Sequence, residues 1–164
     1  MTRPGHPIVY ETLERLGIPY REVEHEPAFT VEEMESLPFI RDIGYAKNLF
    51  LRDAKGRRHF LVVVRKDTTV NLDVLAGQIG STRLSFASEK RLWDYLKLTK
   101  GSVSPLGILN DQSKSVEVIL DERLKDADPF GVHPNINSAT VILAFSDLVG
   151  IIRDHGNPMR FFLP

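Results

Sequence analysis

Three short polar segments, separated by long apolar runs, hold the residues of this sequence that are best suited to chemistry. They are residues 46–50 (AKNLF), 101–107 (GSVSPLG) and 133–140 (HPNINSAT). Lys47 opens an apolar strand, where an ammonium group is costly unless it pairs with an anion such as a phosphate. Gly101 and Pro105 shape a loop whose backbone amides are free to converge on an oxyanion or a water molecule. With His133 at the entrance of another strand, the three segments predict one pocket that needs no metal, cysteine or cofactor motif.

Each segment, taken alone, also fits a purely structural interpretation. A lysine at a strand end can extend its charged head into solvent, and most loops of glycine and proline are simple turns. A single histidine is more often a surface residue or a hydrogen-bonded core residue than a functional one. Asn48 is expected to point to the opposite face of the strand from Lys47. The spacing of these residues therefore leaves the functional and structural interpretations open.

The composition narrows the class of protein. The chain has 164 residues, no cysteine and a net charge of -1, which fits one domain over residues 1–164 and excludes disulfides, a thiolate nucleophile and cysteine-bound zinc. The sequence has no GxGxxG, GxxxxGK[ST], HExxH or GxSxG motif. Its five histidines lack ligand-like spacing, so we expect neither a cofactor nor a metal. Because no apolar stretch is long enough to cross a membrane, a cytoplasmic protein is expected.

Charge is distributed unevenly along the sequence. Acidic residues dominate residues 11–35, whereas residues 47–66 are strongly basic and have only Asp53 as an acid. A polyanion could dock on this basic segment. A solvated hairpin whose outward positions are basic is the simpler interpretation, because the near-neutral net charge is unlike that of most nucleic-acid-binding domains.

The periodicity predicts the elements that must position these segments. Helices are expected from about residue 8 to 16, after Thr30, over residues 72–79 and 89–98, and from residue 146 to about 154, with Trp93 in the core. Residues 46–52 and 58–65 read as an antiparallel hairpin. Further strands are expected at residues 20–25, 83–86, 107–109, 115–120, 138–145 and 159–163. This order predicts an α/β (mixed α+β) fold with a mixed, largely antiparallel sheet and flanking helices, not a doubly wound parallel sheet.

The polar segments and their surroundings resemble a known family, the prolyl-tRNA editing domains of the YbaK/ProX type. The resemblance is strongest to the freestanding ProX (PrdX, ProXp-ala) branch. It covers the chain from the first helix to Gly156 in the expected order. The matching stretches are residues 47–53 (KNLFLRD), 70–72 (VNL), 83–88 (RLSFAS) and 101–111 (GSVSPLGILND).

The resemblance implies an enzyme that hydrolyses mischarged aminoacyl-tRNA(Pro) in trans, without a cofactor or a covalent nucleophile. Water would cut the aminoacyl ester, helped by the substrate's own ribose hydroxyl. The resemblance implies that Lys47 holds the 3′-terminal nucleotide, that the loop at Gly101 holds the carbonyl or the water, and that His133 lines the pocket. The implied substrate-binding residues are Asn48, Ser102, Pro105 and Asn137. The implied partners are the acceptor end of tRNA(Pro) and prolyl-tRNA synthetase, with no membrane.

The resemblance also implies a substrate, because this branch edits alanine. A synthetase pocket built for proline cannot strongly reject a smaller residue, since a missing methylene changes binding by only about 1–3 kcal/mol. Phe29, Thr30 and Met34 are candidates for the walls that admit alanine and reject proline. Two departures from the family pattern, Ala46 and residues 135–138 (NINS), leave cysteinyl and seryl esters open. A non-catalytic tRNA-binding module of the same fold is the alternative from another class.

Overall fold

An eight-stranded mixed sheet forms the centre of the protein in the computed structural model, which describes residues 3–164. The five α-helices are α1 (Pro7–Arg15), α2 (Val31–Glu35), α3 (Leu72–Ile79), α4 (Glu89–Leu96) and α5 (Phe145–His155). The strands are β1 (Arg21–Glu24), β2 (Gly44–Arg52), β3 (His59–Arg65), β4 (Ser85–Phe86), β5 (Val116–Asp121), β6 (Phe130–Val132), β7 (Ala139–Leu143) and β8 (Met159–Phe162). Three 3-10 helices span Pro38–Asp42, Pro105–Asn110 and Glu122–Leu124.

The strand order confirms a mixed sheet with flanking helices. The order is β1-β7-β6-β2-β3-β5-β8, and β4 pairs separately with β2. Four of the seven strand pairs are antiparallel, and the pairs β2/β6, β3/β5 and β5/β8 are parallel. Antiparallel pairing therefore predominates only narrowly. No helix within residues 3–164 is long and apolar enough to cross a membrane.

The β2/β3 hairpin lies at the middle of the sheet, and its register is closely fixed. The strands pair from Ala46 with Arg65 to Arg52 with His59. Asp53 closes the turn, because its carboxylate accepts hydrogen bonds from the amides of Arg57 at 2.8 Å and Arg58 at 3.1 Å. Gly56 takes a φ of +67° in this turn, which favours glycine. These contacts set the register, and the register decides where Lys47 and Asn48 lie.

Two hydrophobic layers cover the faces of the sheet. β3 is buried on both faces, so Leu61 and Val63 join one layer and Phe60, Val62 and Val64 join the other. The first layer contains residues of α1, α4 and α5, and the second contains residues of α3. A third, smaller cluster contains residues of α2, the 3-10 helix Pro38–Asp42 and β2, at the end of the sheet where β2 begins.

Three expectations for the fold are wrong. Residues 107–109 form part of a 3-10 helix and not a strand, because Ser104 caps the segment and its carbonyl accepts from the amide of Gly107. The last helix begins at Phe145 with Ala144 at its N-cap, so residue 146 does not start it. Trp93 is 51% exposed, because α4 buries Leu92 and Leu96 and turns the next position outward. The short strand β6 was not expected at all.

Candidate functional site

A cavity of about 180 Å³ opens at the N-terminal end of β2, between three segments that are far apart in the sequence. The segments are the start of β2, the stretch around α2 and the loop that begins at Gly101, with His133 closing one side. A smaller cavity of about 30 Å³ adjoins it and shares Met34, Tyr45, Ala46, Asn48 and His133. The lining residues of the larger cavity are Ala28, Phe29, Thr30, Val31, Met34, Tyr45, Ala46, Lys47, Asn48, Gly101, Val103 and His133.

Lys47 and Asn48 are successive residues of β2, and they make contacts in different directions. The Lys47 ammonium donates a hydrogen bond to the backbone carbonyl of Thr68, in the loop after β3. The Asn48 side-chain amide donates to the carbonyl of Val103 at 3.3 Å. An ammonium has three N–H donors, so Lys47 keeps two for a ligand. The Oδ1 atom of Asn48 is buried and accepts no hydrogen bond from residues 3–164.

Thr68 is itself held by an ion pair between the partly exposed Arg123 and the buried Asp121. The Arg123 guanidinium donates to the Thr68 hydroxyl at 2.6 Å and to the carboxylate of Asp121 at 2.7 Å. The Asp121 carboxylate is fully buried and also accepts from the amides of Arg65 and Arg123. Burial raises the pKa of Asp121, but the hydrogen bonds from Arg123 and these two amides outweigh it and hold the pKa below its usual value. This network fixes the carbonyl that binds Lys47.

The loop at Gly101 lines the cavity with Gly101 and Val103. Gly101 has a φ of +90°, and the ring of Phe29 lies so close to its Cα that a Cβ there would collide with it. The amides of Ser102, Leu106 and Gly107 are used inside the protein. Within residues 3–164, the amides of Gly101 and Val103 have no protein acceptor. They are therefore available to stabilise a negative oxygen.

Ser104 joins this loop to the histidine segment, and sequence reasoning did not select it. Its hydroxyl is fully buried, donates to the carbonyl of His133 at 2.7 Å and accepts from the amide of Leu106. Asn135 adds a second link, because its side-chain amide donates to the Leu106 carbonyl at 3.3 Å. A serine directly before a proline is a typical helix N-cap. The sequence alone therefore indicates Ser104 as an N-cap, but it does not indicate the hydrogen bond from the Ser104 hydroxyl to the carbonyl of His133.

His133 is held as a neutral acceptor. Its Nδ1 atom lies 3.1 Å from the carbonyl oxygen of Ala139, so Nδ1 carries the proton and Nε2 is left with a lone pair. Burial lowers the pKa of His133, and the nearby His25 lowers it further, against the opposing effect of the Ala139 carbonyl. At neutral pH the ring is therefore uncharged.

His25 is a second residue that sequence reasoning placed outside the site. Its ring centroid is 6.3 Å from that of His133, and its Nε2 atom lies 2.8 Å from the hydroxyl of Thr140. Its Nδ1 atom is 2.7 Å from the carbonyl of Glu26, which makes Nε2 the acceptor in the neutral ring. Because His25 precedes a loop and has no motif around it, only the fold shows its proximity to His133.

Tyr45 also lines the cavity without having been expected there. Its hydroxyl is buried and makes no hydrogen bond of ordinary geometry with residues 3–164. Burial raises the pKa of Tyr45 well above its usual value, and the neighbouring carboxylate of Glu35 raises it further. The phenol therefore remains protonated, on a residue that lines both cavities.

The structure brings seven of the expected site residues to this cavity and leaves three outside its lining. Ser102 and Pro105 are buried beside the loop, where Pro105 begins the 3-10 helix. The carbonyl of Asn137 accepts from the amide of Ala28 and so supports the stretch before α2. These three residues shape the backbone around the cavity. The seven at the cavity are Phe29, Thr30, Met34, Lys47, Asn48, Gly101 and His133.

Three of the seven cations in the basic segment, residues 47–66, form ion pairs with acids outside the segment. Arg58 pairs with Glu117 at 2.9 Å, Arg65 with Asp67 at 2.8 Å and Lys66 with Glu35 at 3.6 Å. Arg52 donates to the backbone carbonyls of Asp53 and Ala54. These contacts favour the solvated-hairpin interpretation over a broad polyanion surface.

Comparison with known proteins identifies relatives of this chain. The sequence model of the aminoacyl-tRNA editing domain family matches residues 25–151. The chain is 52% identical over 153 residues to the prolyl-tRNA editing protein ProX of Acetoanaerobium sticklandii, with 93% of each sequence covered. It is 37% identical over 148 residues to prolyl-tRNA synthetase associated domain-containing protein 1 of Danio rerio, covering 88% of this chain and 79% of that protein.

A solved structure has the same fold at low sequence identity. It is a candidate trans-editing enzyme for prolyl tRNA synthetase and superposes with a TM-score of 0.76 at 18% identity. The superposition covers 99% of this chain and 98% of the other. At that identity the likeness supports the fold alone.

Proposed function

Because the chain belongs to the aminoacyl-tRNA editing domain family, we propose that it is a trans-editing deacylase of mischarged tRNA(Pro) and that its substrate is Ala-tRNA(Pro). The observation that carries the proposal is the cavity itself. Lys47, Gly101 and His133, from three distant segments, line one small pocket together with two free backbone amides. Such a pocket suits an ester that needs positioning and charge stabilisation more than a nucleophile.

The proposed reaction is a direct attack by water on the aminoacyl ester. The water oxygen bonds to the carbonyl carbon, the bond to the ribose oxygen breaks, and a proton from the water passes to that oxygen. In this scheme the amides of Gly101 and Val103 stabilise the negative carbonyl oxygen as it forms. The free ribose hydroxyl of the terminal nucleotide assists by orienting the water, so no side-chain base is required.

Lys47 and His133 act by binding and orientation in this scheme. The two free N–H donors of Lys47 suit a phosphate or ribose oxygen of the terminal nucleotide. The Nε2 lone pair of His133 accepts a hydrogen bond from the water or from the substrate's amino group. A neutral ring is essential to this role, and burial provides it.

The shape of the cavity walls, and not the cavity volume, is the basis on which we expect alanine as the amino acid. Met34 is buried, and with Ala28, Tyr45 and Ala46 it lines the cavity of about 180 Å³. A methyl side chain needs little of that volume. The prolyl ring adds two carbons and a fixed backbone shape, and we expect the walls to exclude it because overpacking is costly.

A deacylation panel tests this proposal. Purified protein is mixed with Ala-, Cys-, Ser- or Pro-tRNA(Pro), and the released amino acid is measured over time. We expect rapid release of alanine, slower release of cysteine and serine, and no release of proline above the uncatalysed rate. If cysteine or serine were released faster than alanine, Cys- or Ser-tRNA(Pro) would be the preferred substrate instead of Ala-tRNA(Pro). Failure to release any amino acid would favour the non-catalytic tRNA-binding module.

Substitution of Lys47 tests the site. Lys47→Ala removes the ammonium of a cavity-lining residue, and we expect kcat/KM for Ala-tRNA(Pro) to fall at least tenfold. The matched control is Lys55→Ala, at an exposed turn position of the same hairpin, for which we expect a change of less than twofold. Equal losses in both variants would show that Lys47 acts only through general charge.

A further inference from the structure

A second, larger groove runs beside the catalytic pocket. Its volume is about 450 Å³, and we refer to it as the Phe86 groove. Its polar lining residues are Asn48, Ser88, Glu89 and Lys100. Its apolar lining residues are Leu49, Phe50, Phe86, Ala87, Leu92 and Val103. The proposed reaction gives this groove no role.

The Phe86 groove is continuous with the catalytic pocket. Asn48 and Val103 line both, and the hydrogen bond from the Asn48 amide to the Val103 carbonyl forms part of their common wall. Lys100 lines the groove, while the next residue, Gly101, lines the pocket. A molecule whose ester lies in the pocket therefore extends directly into the groove.

An exposed aromatic ring stands in the groove on a fixed backbone. Phe86 is 64% exposed, although it is a large apolar side chain. It lies in β4 opposite Leu51 of β2, and the next amide, that of Ala87, donates to the carbonyl of Phe50 at 3.0 Å. Ser88 then caps α4 by accepting from the amide of Arg91. These backbone contacts fix the position of Phe86, and its ring remains exposed to solvent.

The charges of the groove favour a base over a phosphate. Lys100 is the cation and Glu89 the anion among its lining residues, so the groove is close to neutral. A phosphate group would meet the Glu89 carboxylate, whereas a flat, neutral ring meets the Phe86 face and apolar side chains. An aromatic platform beside a single cation is a typical arrangement for binding single-stranded RNA.

We propose that the Phe86 groove binds an unpaired base of the tRNA 3′ end, stacked on the ring of Phe86, while the aminoacyl ester lies in the neighbouring pocket. The proposal rests on the proposed function, because an ester in the pocket is attached to a single-stranded nucleotide that must continue outward. The groove would then hold the acceptor end in register for hydrolysis. Base stacking of this kind changes binding by about 5- to 150-fold per base.

Substitution of Phe86 tests the groove by activity. In Phe86→Ala, we expect kcat/KM for Ala-tRNA(Pro) to fall at least fivefold, mainly through a higher KM. Phe86→Tyr keeps a stacking face and should restore at least half of the wild-type value. The matched control is Trp93→Ala, which removes another exposed aromatic ring but lies outside the groove and should change kcat/KM by less than twofold. Thermal melting confirms that each variant is folded.

A binding measurement separates this proposal from the proposed function. A fluorescently labelled single-stranded RNA that ends in CCA is titrated with the wild-type protein and each variant. Weaker binding of Phe86→Ala alone supports the groove, even if the protein hydrolyses no ester. Unchanged binding and unchanged kcat/KM in Phe86→Ala would overturn the groove proposal and leave the deacylase intact. A dimer in sedimentation that Phe86→Ala abolishes would instead identify a second copy as the occupant.

Discussion

Gly101 is the residue at which one added methyl group should have the clearest effect on the site. Its φ of +90° disfavours any L side chain, and a Cβ would also strike the ring of Phe29. We expect Gly101→Ala to reduce kcat for Ala-tRNA(Pro) at least tenfold, because the loop amides would move away from the carbonyl oxygen.

A double variant separates the two causes. Phe29 is 61% exposed, so Phe29→Ala removes the collision without opening the core. If strain at φ dominates, Gly101→Ala with Phe29→Ala stays as inactive as Gly101→Ala alone. Recovery to the level of Phe29→Ala would show that the collision dominates. Full activity of the single Gly101→Ala variant would contradict the role given to this loop.

His133 predicts the pH dependence of the reaction. Its pKa is lowered by burial, so the neutral ring persists below the ordinary histidine value of about 6.5. Because the neutral form accepts the hydrogen bond, kcat/KM should stay constant from pH 8 down to about 6.5 and fall only as the pH drops through the lowered pKa. Kinetics with Ala-tRNA(Pro) between pH 5 and pH 8 measure this midpoint.

His25 is the control for this profile, since it is the other titratable ring beside His133. In His133→Asn the fall in kcat/KM at low pH should disappear, because an asparagine amide can donate to the carbonyl of Ala139 but does not titrate. In His25→Asn the fall in kcat/KM at low pH should remain, with at most a small shift of its midpoint. A midpoint above pH 7 in the wild-type protein would contradict a neutral His133.

The carboxylate of Asp121, at the end of β5, links this strand to the connection between β3 and α3. This link should contribute measurably to the free energy of unfolding. Asp121→Asn removes the charge that Arg123 and two backbone amides contact. We expect a loss of about 2 kcal/mol in the free energy of unfolding at pH 7, because buried donors lose a strong acceptor. Urea denaturation measures the difference between the two proteins.

The sign of the pH effect follows from the lowered pKa of Asp121. The ionised carboxylate stabilises the fold above the unfolded pKa of about 4 and loses this contribution as the pH falls through the lower folded pKa. The difference in the free energy of unfolding between the wild-type protein and Asp121→Asn should therefore decrease from pH 7 to pH 3. Asp67→Asn, at an exposed ion pair with Arg65, should have little effect at either pH. If this difference were the same at both pH values, Asp121 would stabilise the fold by its packing and not by its charge.

Elements with a clear period could be predicted from the sequence, and short apolar runs could not. The hairpin and the helices near residues 72–79 and 89–98 are found as expected, because alternation and capping signals agree there. Residues 107–109 were misassigned because three apolar residues fit a strand or a helical turn equally well. β6 is three residues long, which is too short to show a period.

At the scale of the whole molecule, residue types suggested part of the site, but the fold was needed to assemble it. Motifs in three segments selected Lys47, Gly101 and His133, which the structure brings to one cavity. The contacts that hold them connect distant positions: Ser104 with the carbonyl of His133, and His25 with Thr140. No local pattern encodes such contacts, because they depend on the order of strands in the sheet. The roles of these residues remain predictions for the experiments above.

The register of the β2/β3 hairpin also determines where this chain can change in length. Lys47 lies near the middle of β2, and Asp53, which closes the turn, follows six residues later, about 20 Å away. An insertion in the turn would lengthen an exposed loop and leave Lys47 and Asn48 in place. An insertion of one residue in β2 between Asn48 and the turn would exchange the faces of lysine and asparagine. Homologous chains should therefore vary in length at the turn and keep a constant length between Gly44 and Arg52.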